Sequence, residues 1–279
     1  MALLQKAYLG ATPLFRSKDW CEDAYTLVND SGLVTVTANT SAHTKGSWSE
    51  LIASASANAS LLVLHVQDVS AVSTATATLL DLATGASGSE SAVASDIAIG
   101  SAQTTAGPVG VAITIPLKIA SGTRLSARIQ SVVTGGKTAS VQAFLFDVGD
   151  FATAPTSVDV IGGNTANSQG ISFSGASGTW VQATASTSQA YRAVAIIPSA
   201  HSAAISSIGP QLDLGVGASG SEVVFGITLV AYNNSEAVQS APPYLSLFGR
   251  SIPAGSRLAV RHNIATGPSS YGFTLIGIP

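Results

Sequence analysis

The sequence predicts an all-β fold: a short N-terminal arm followed by two tandem jelly-roll β-sandwiches. Three observations predict it. First, Asp81-Leu-Ala-Thr-Gly-Ala-Ser-Gly-Ser-Glu90 returns as Asp213-Leu-Gly-Val-Gly-Ala-Ser-Gly-Ser-Glu222, eight of ten residues identical at an offset of 132. Second, charged residues make up only 10 % of the 279, and small and β-branched residues fill the gap. Branched side chains fit a pleated surface, and disorder is associated with the opposite profile, low hydrophobicity and high net charge. Third, short alternating segments are separated by turn signals about every 8 to 12 residues, the spacing of sandwich strands.

The arm, residues 1–40, is set apart by its charge. Lys6, Arg16, Lys18, Asp19, Glu22, Asp23 and Asp30 place seven of 27 charges in the first thirty positions, with Trp20 and Tyr25 among them. Arg16, Lys18, Trp20 and Tyr25 are its candidate docking residues. An equal alternative is a first strand and a helical turn packed on the first sandwich.

The first sandwich is expected over 41–148. Its strands are read near Trp48, through Ala53–Ser56, at 61–66, 71–82 and around Ile97, and then at 111–119, 123–133 and 140–148. Between 149 and 170, Gly149, Pro155, Gly162 and Gly163 mark a linker. The second sandwich, 171–279, repeats the order of the first. Gly178-Thr-Trp180 matches Gly46-Ser-Trp48, and Ile252-Pro-Ala-Gly-Ser-Arg-Leu258 matches Ile119-Ala-Ser-Gly-Thr-Arg-Leu125 at an offset of 133. Eight strands per repeat favour a jelly roll, with an immunoglobulin-like sandwich as the runner-up.

The repeated decapeptide reads first as a turn. Gly85, Gly88, Gly217 and Gly220 supply the left-handed positions that a tight connection needs. A phosphate-cradling loop would need a following Lys and a helix, and neither is present. The Arg pairs, Arg124 with Arg128 and Arg257 with Arg261, fall at i and i+4 on strands and so share one face. That face points outward, toward Asp81 and Glu90 across the sheet or toward an acidic saccharide. Trp48 and Trp180 are expected to plug the two cores. Tyr232, Tyr244 and Tyr271 have no counterparts in the first repeat. Together with Arg257 and Arg261 they form the candidate ligand-binding set.

Other chemistries lack their residues. A net charge of −3 with twelve scattered basic residues gives no nucleic-acid footprint. Cys21 is the one cysteine, which excludes an intrachain disulfide. His43, His65, His201 and His262 lie far apart, so neither a metal nor another cofactor is expected. The longest apolar runs are strand-length, too short for a spanning helix. The opening residues lack a basic n-region and read as mature sequence. No Gly-x-Ser-x-Gly elbow is present, and the chain is not expected to be an enzyme.

The decapeptide and the Ile-Pro-Ala-Gly-Ser-Arg-Leu segment resemble modules of tailed-phage structural proteins, including the head-spike fibres of gene transfer agents. The resemblance spans both repeats. The first copy departs from it, with Ala120-Ser121 where Pro253-Ala254 stands in the second. It implies a virion surface protein made in the host cytoplasm, docked to other virion proteins through its arm. It further implies a homo-oligomer, trimer or pentamer, whose distal sandwich contacts host capsular or other surface polysaccharide. The competing expectations are a decoration protein that binds no ligand and a capsule-degrading hydrolase.

Overall fold

The computed structural model describes residues 26–67, 69, 78–99, 111–149, 151–173, 177–201, 211–229, 231–233, 236–240, 244–245, 251–262 and 271–279. These residues form antiparallel strands and turns with no helix.

The first half contains β1 (Thr26–Asp30), β2 (Val34–Thr37), β3 (Ser49–Ile52), β4 (Ala59–Gln67), β5 (Thr78–Thr84), β6 (Ser91–Ile99), β7 (Val111–Ile119), β8 (Leu125–Ser131) and β9 (Thr138–Asp147). One sheet runs β1-β9-β4-β7, with β2 also on β9, and the other runs β3-β8-β5-β6. With the split first strand counted once, the orders are 1-8-3-6 and 2-7-4-5, which is jelly-roll connectivity. An immunoglobulin-like sandwich would divide its strands differently.

The second half contains β10 (Asp159–Ile161), β11 (Ile171–Phe173), β12 (Val181–Thr184), β13 (Ala193–His201), β14 (Gln211–Val216), β15 (Val223–Leu229), β16 (Ala231–Asn233), β17 (Glu236–Ser240), β18 (Tyr244–Leu245), β19 (Leu258–His262) and β20 (Tyr271–Ile278). Its sheets, β10-β20-β13-β18 with β11 also on β20, and β12-β19-β14-β15, repeat the same two orders. The β16–β17 hairpin lies between the equivalents of β6 and β7.

Two expected boundaries move. Residues 26–37, assigned to the arm, are β1 and β2 of the first sandwich, both paired with β9. The alternation Val34-Thr-Val36 explains it, since Val36 is fully buried and Val34 packs against the core. Arg16, Lys18, Trp20 and Tyr25 lie outside the described residues. Likewise the second sandwich begins inside the expected linker, at β10, which pairs with β20. Ala53–Ser56 is also no strand: Ala55 N–H donates to Thr123 and its carbonyl accepts from Gly122, closing a turn.

The two sandwiches share a boundary. Along β13 and β20, Val194, Ile196, Phe273 and Leu275 point into the second core. Their alternates Ala193, Ala195, Ile197, Ile276 and Ile278 belong to the first cluster. The sheet is therefore apolar on both faces, and its outer face packs on β6. Burying three Ile side chains there is worth roughly 5 to 9 kcal/mol as an upper estimate. Polar contacts fix the angle. Ala98 N–H on β6 donates to Thr274 Oγ1 at 3.1 Å, and Val158 N–H donates to the Val93 carbonyl at 2.9 Å. Gln130 Nε2 on β8 donates to the Thr165 carbonyl and to Ser168 Oγ, at 2.7 and 2.9 Å, clasping the 164–169 turn.

Candidate functional site

The repeated motifs build one device twice, on the outer face of the β3-β8-β5-β6 sheet and of its counterpart. β5 and β8 pair with Asp81 opposite Arg128, as β14 and β19 pair with Asp213 opposite Arg261. Arg128 Nε donates to Asp81 at 2.8 Å and Arg261 Nε to Asp213 at 2.7 Å. Each guanidinium also lies over a tryptophan ring, Arg128 at 4.2 Å from Trp48 and Arg261 at 4.6 Å from Trp180. Trp48 and Trp180 are therefore partly exposed lids on the arginines, not core plugs. Gly215 makes the second lid fit, because a Cβ there would stand 2.6 Å from the Trp180 ring.

The other arginine of each pair holds the decapeptide turn. Arg124 Nη1 donates to Glu90 at 3.0 Å and Nε to Glu50 at 2.8 Å. Arg257 Nη1 donates to Glu222 at 2.7 Å and to the Gly217 carbonyl at 3.1 Å, and its Nε donates to Gln182 at 2.9 Å. Gly85 and Gly217 have φ of 115° and 131°, Gly88 and Gly220 of 83° and 80°. Burial alone would raise the Glu90 and Glu222 carboxyls. Their own backbone N–H groups and the arginines outweigh it and hold both below the usual glutamate value. Arg257 and Arg261 are thus committed to internal partners. The backbones of Tyr232, Tyr244 and Tyr271 lie on β16, β18 and β20, on two different sheets.

A different place gathers chemistry toward solvent. Between the sandwiches lies an open cleft of about 590 Å³, walled by β6, by Ser157–Gly162 around β10 and by the β12–β13 connection. Ser157 and Ser186 line it, while the hydroxyls of Thr184, Thr187 and Ser188 are engaged with the Ser186 carbonyl, the Pro253 carbonyl and Asp159; Asp96 and Asp159 supply one carboxylate from each half.

Asp159 is held by three donors on a single oxygen. Tyr191 OH donates to Oδ2 at 2.7 Å, Gln189 Nε2 at 3.2 Å, and Ser188 Oγ completes the set. Among the described residues nothing donates to Oδ1. Burial pushes the Asp159 carboxyl up, but the Ser188, Tyr191 and Gln189 hydrogen bonds outweigh it and leave the carboxyl below its usual value. Tyr191 is pushed up to about 12, first by burial and then by the neighbouring carboxylate. At neutral pH the pair is a carboxylate and a neutral phenol.

Asp96 has φ of 65°, a left-handed position uncommon for a residue with a side chain. It is fixed from both ends: its N–H donates to Asp81 Oδ1 at 2.8 Å, and its carboxylate accepts from Lys45 at 2.9 Å. Lys45 also bridges to Asp81 at 2.6 Å. Gly163 of the second half lies against it, since a Cβ there would meet the Asp96 Cβ at 2.5 Å.

Sequence reasoning missed Asp159, Ser188 and Tyr191, yet comparing the repeats by register exposes them. Asp159 stands opposite Gly277 on β20 as Asn29 flanks Leu145 on β9. Asn29 accepts from Ser56, the equivalent of Ser188 at an offset of 132. Tyr191 replaces Ala59 at that offset, and Gly277 replaces Leu145. The pairs are complementary in volume: the Tyr191 ring fills the space over Gly277, where a Cβ would stand 2.7 Å from it. The first half is neutral at this position, and the second carries a charge.

No protein-family model matches the chain, and no curated protein matches it. Among solved structures it is similar to the N-terminal CBM22-1–CBM22-2 tandem domain of Paenibacillus barcinonensis Xyn10C. That likeness has a TM-score of 0.28 and 9 % identity, and covers 93 % of this chain and 99 % of the other. It is also similar to the structure of the Macrobrachium rosenbergii nodavirus, with a TM-score of 0.19, 12 % identity, and coverage of 94 % and 99 %. TM-scores this low carry no functional argument. The jelly-roll assignment rests on the strand order above.

Proposed function

We propose that this chain is a binding protein of a virion surface, a fibre or spike protein that engages host cell-surface polysaccharide and does not cleave it. The observation that carries the reading is the cleft between the two jelly rolls. Asp159 is among its lining residues, and one oxygen of that carboxylate accepts three hydrogen bonds while the other accepts none among the described residues. Sugar hydroxyls are donors, and hydrogen bonds to an ionised acceptor are worth about 1.5 to 3 kcal/mol each. Asp159 is pre-organised for that role, so little rotamer freedom is lost on binding.

Charge state favours binding over hydrolysis. A glycosidase needs one carboxyl raised enough to serve as an acid. Asp159 is lowered, and Asp96 is paired with Lys45. The ligand site so proposed differs from the tyrosines and arginines expected from sequence, because Arg257 and Arg261 are already spent within the fold.

The test is retention on an array of bacterial capsular and lipopolysaccharide-derived glycans. The full chain is expected to bind, Asp159→Asn to weaken binding about tenfold or more, and Arg257→Ala to leave affinity intact if the fold survives. Release of oligosaccharide from the array would establish the hydrolase instead. No retention of any glycan would leave the ligand-free decoration protein.

A further inference from the structure

The cleft carries one charge that the fold does not balance. Among the described residues, Asp81, Asp96, Glu90, Asp213 and Glu222 each bridge to a lysine or an arginine. Asp159 accepts only from Ser188, Gln189 and Tyr191, all of them neutral. Asp30 and Asp147 also bridge to no cation among the described residues, but each caps a turn, accepting from the N–H two residues on. The other carboxylate of the cleft is balanced, because Lys45 and Arg128 stand against Asp81 and Asp96. Among the described residues no lysine, arginine or histidine lines the cleft.

The connecting work at this place does not need a charge. In the first half Asn29 Oδ1 accepts from the Ser56 N–H at 2.8 Å, and Ser56 is the equivalent of Ser188 at the offset of 132. A neutral amide therefore ties the strand to the connection in one repeat, and a carboxylate does so in the other, where the cleft opens. Burial works against that charge, and the three donors restore it, so the carboxyl stays below its usual value. Its other oxygen accepts nothing among the described residues and has room for donors from a ligand.

We propose, resting on the saccharide-binding reading above, that the cleft selects a saccharide bearing a protonated amino group, whose ammonium supplies the cation that Asp159 does not have. Hydrogen bonds between two ionised groups are shorter and roughly twice as strong as neutral ones, so an ammonium gains more here than a sugar hydroxyl. An acidic saccharide brings a like charge to the same carboxylate and is rejected. A neutral saccharide leaves the charge unbalanced and binds more weakly.

Titration calorimetry of the full chain with a glucosamine tetrasaccharide and with its fully N-acetylated form tests it. Acetylation keeps the rings and removes the charge. The buffer holds a metal chelator at about pH 6, between the usual titration ranges of carboxylates and amines. The free amine is expected to bind the native chain at least about tenfold more tightly, with the advantage shrinking as salt screens the pair. Asp159→Asn, which installs the residue type of the first half, should abolish the advantage, and Asp30→Asn, an exposed carboxylate away from the cleft, should preserve it. The comparison on the native chain needs no variant, so it stands even if Asp159→Asn loses its β-sheet circular dichroism. Equal affinity for the two tetrasaccharides would overturn the inference. So would an equal loss with Asp30→Asn, the sign of a general attraction between a polycation and an acidic chain. Binding of the acetylated form that appears only when calcium is added would overturn it too, making the missing cation a metal. An array that retains only neutral or acidic glycans, with retention lost in Asp159→Asn, would overturn the amine and leave the saccharide reading standing, whereas no retention at all removes both.

Discussion

Asp159 and Tyr191 set the chemistry of the cleft, and their protonation can be read directly. Tyr191 is expected to ionise near pH 12, where an exposed tyrosine titrates near about 10. Its pKa is raised on folding, so its contribution to stability is complete below about pH 10 and is lost as pH climbs toward 12. Asp159→Asn removes the neighbouring charge, and tyrosinate absorbance should then appear at lower pH, still delayed by burial. The Asp159 carboxyl is lowered, so its contribution holds above about pH 4 and fades as pH falls through its folded value. Asp81 behaves differently, being 1 % exposed and bridged to both Lys45 and Arg128. Asp81→Ala leaves two cations without their shared partner and is expected to cost about 3 to 5 kcal/mol in chemical denaturation. Glu50→Gln, on an exposed partner of Arg124, should cost less than about 1 kcal/mol. The Asp81–Arg128 and Glu90–Arg124 pairs were legible in the sequence, because i and i+4 on a strand share a face and the turn returns its glutamate to that face. The role of Trp48 was not. A tryptophan present in both repeats reads as core until a cation over its outer ring shows otherwise.

At the level of strands and turns, the two copies act as controls for each other. Gly277→Ala forces a methyl against the Tyr191 ring and is expected to destabilise by about 1 to 3 kcal/mol. The first half carries Leu145 at that position without cost because Ala59 replaces the tyrosine. A double variant Gly277→Leu with Tyr191→Ala should therefore recover part of the loss, measurable as a coupling energy in a double-mutant cycle. The eight-stranded plan was legible because turns recur at strand spacing and the decapeptide marks the same hairpin twice. The beginnings of the sandwiches were not. β1 and β2 are short strands split by the Asp30–Gly32 turn, in which Gly32 N–H donates to the Asp30 side chain, and so few residues show little alternation. β10 was hidden in the same way, as three residues bracketed by proline and glycine.

For the molecule as a whole, the central feature is a sheet with two apolar faces, one for its own core and one for its neighbour. Sequence periodicity finds a strand buried on both sides as a continuous apolar run, as in Val194-Ala-Ile-Ile197, but does not name the layer that covers it. The contact makes one body of two repeats and creates the cleft as its margin. Ile276→Asp buries a charge in that contact and is expected to split a single calorimetric transition into two. A double variant shortening Ile197 and Ile276 to Ala should lower the melting temperature without splitting the transition. Saccharide binding should fail with Ile276→Asp even though Asp159 remains, because the two walls of the cleft belong to different sandwiches.

The most direct test is the affinity of the full chain and of Asp159→Asn for a polysaccharide that the native protein retains, measured by titration calorimetry at neutral pH. The account predicts a loss of about tenfold or more with the β-sheet circular dichroism retained. Equal affinity of the two proteins would contradict it, moving the ligand away from the junction of the two jelly rolls.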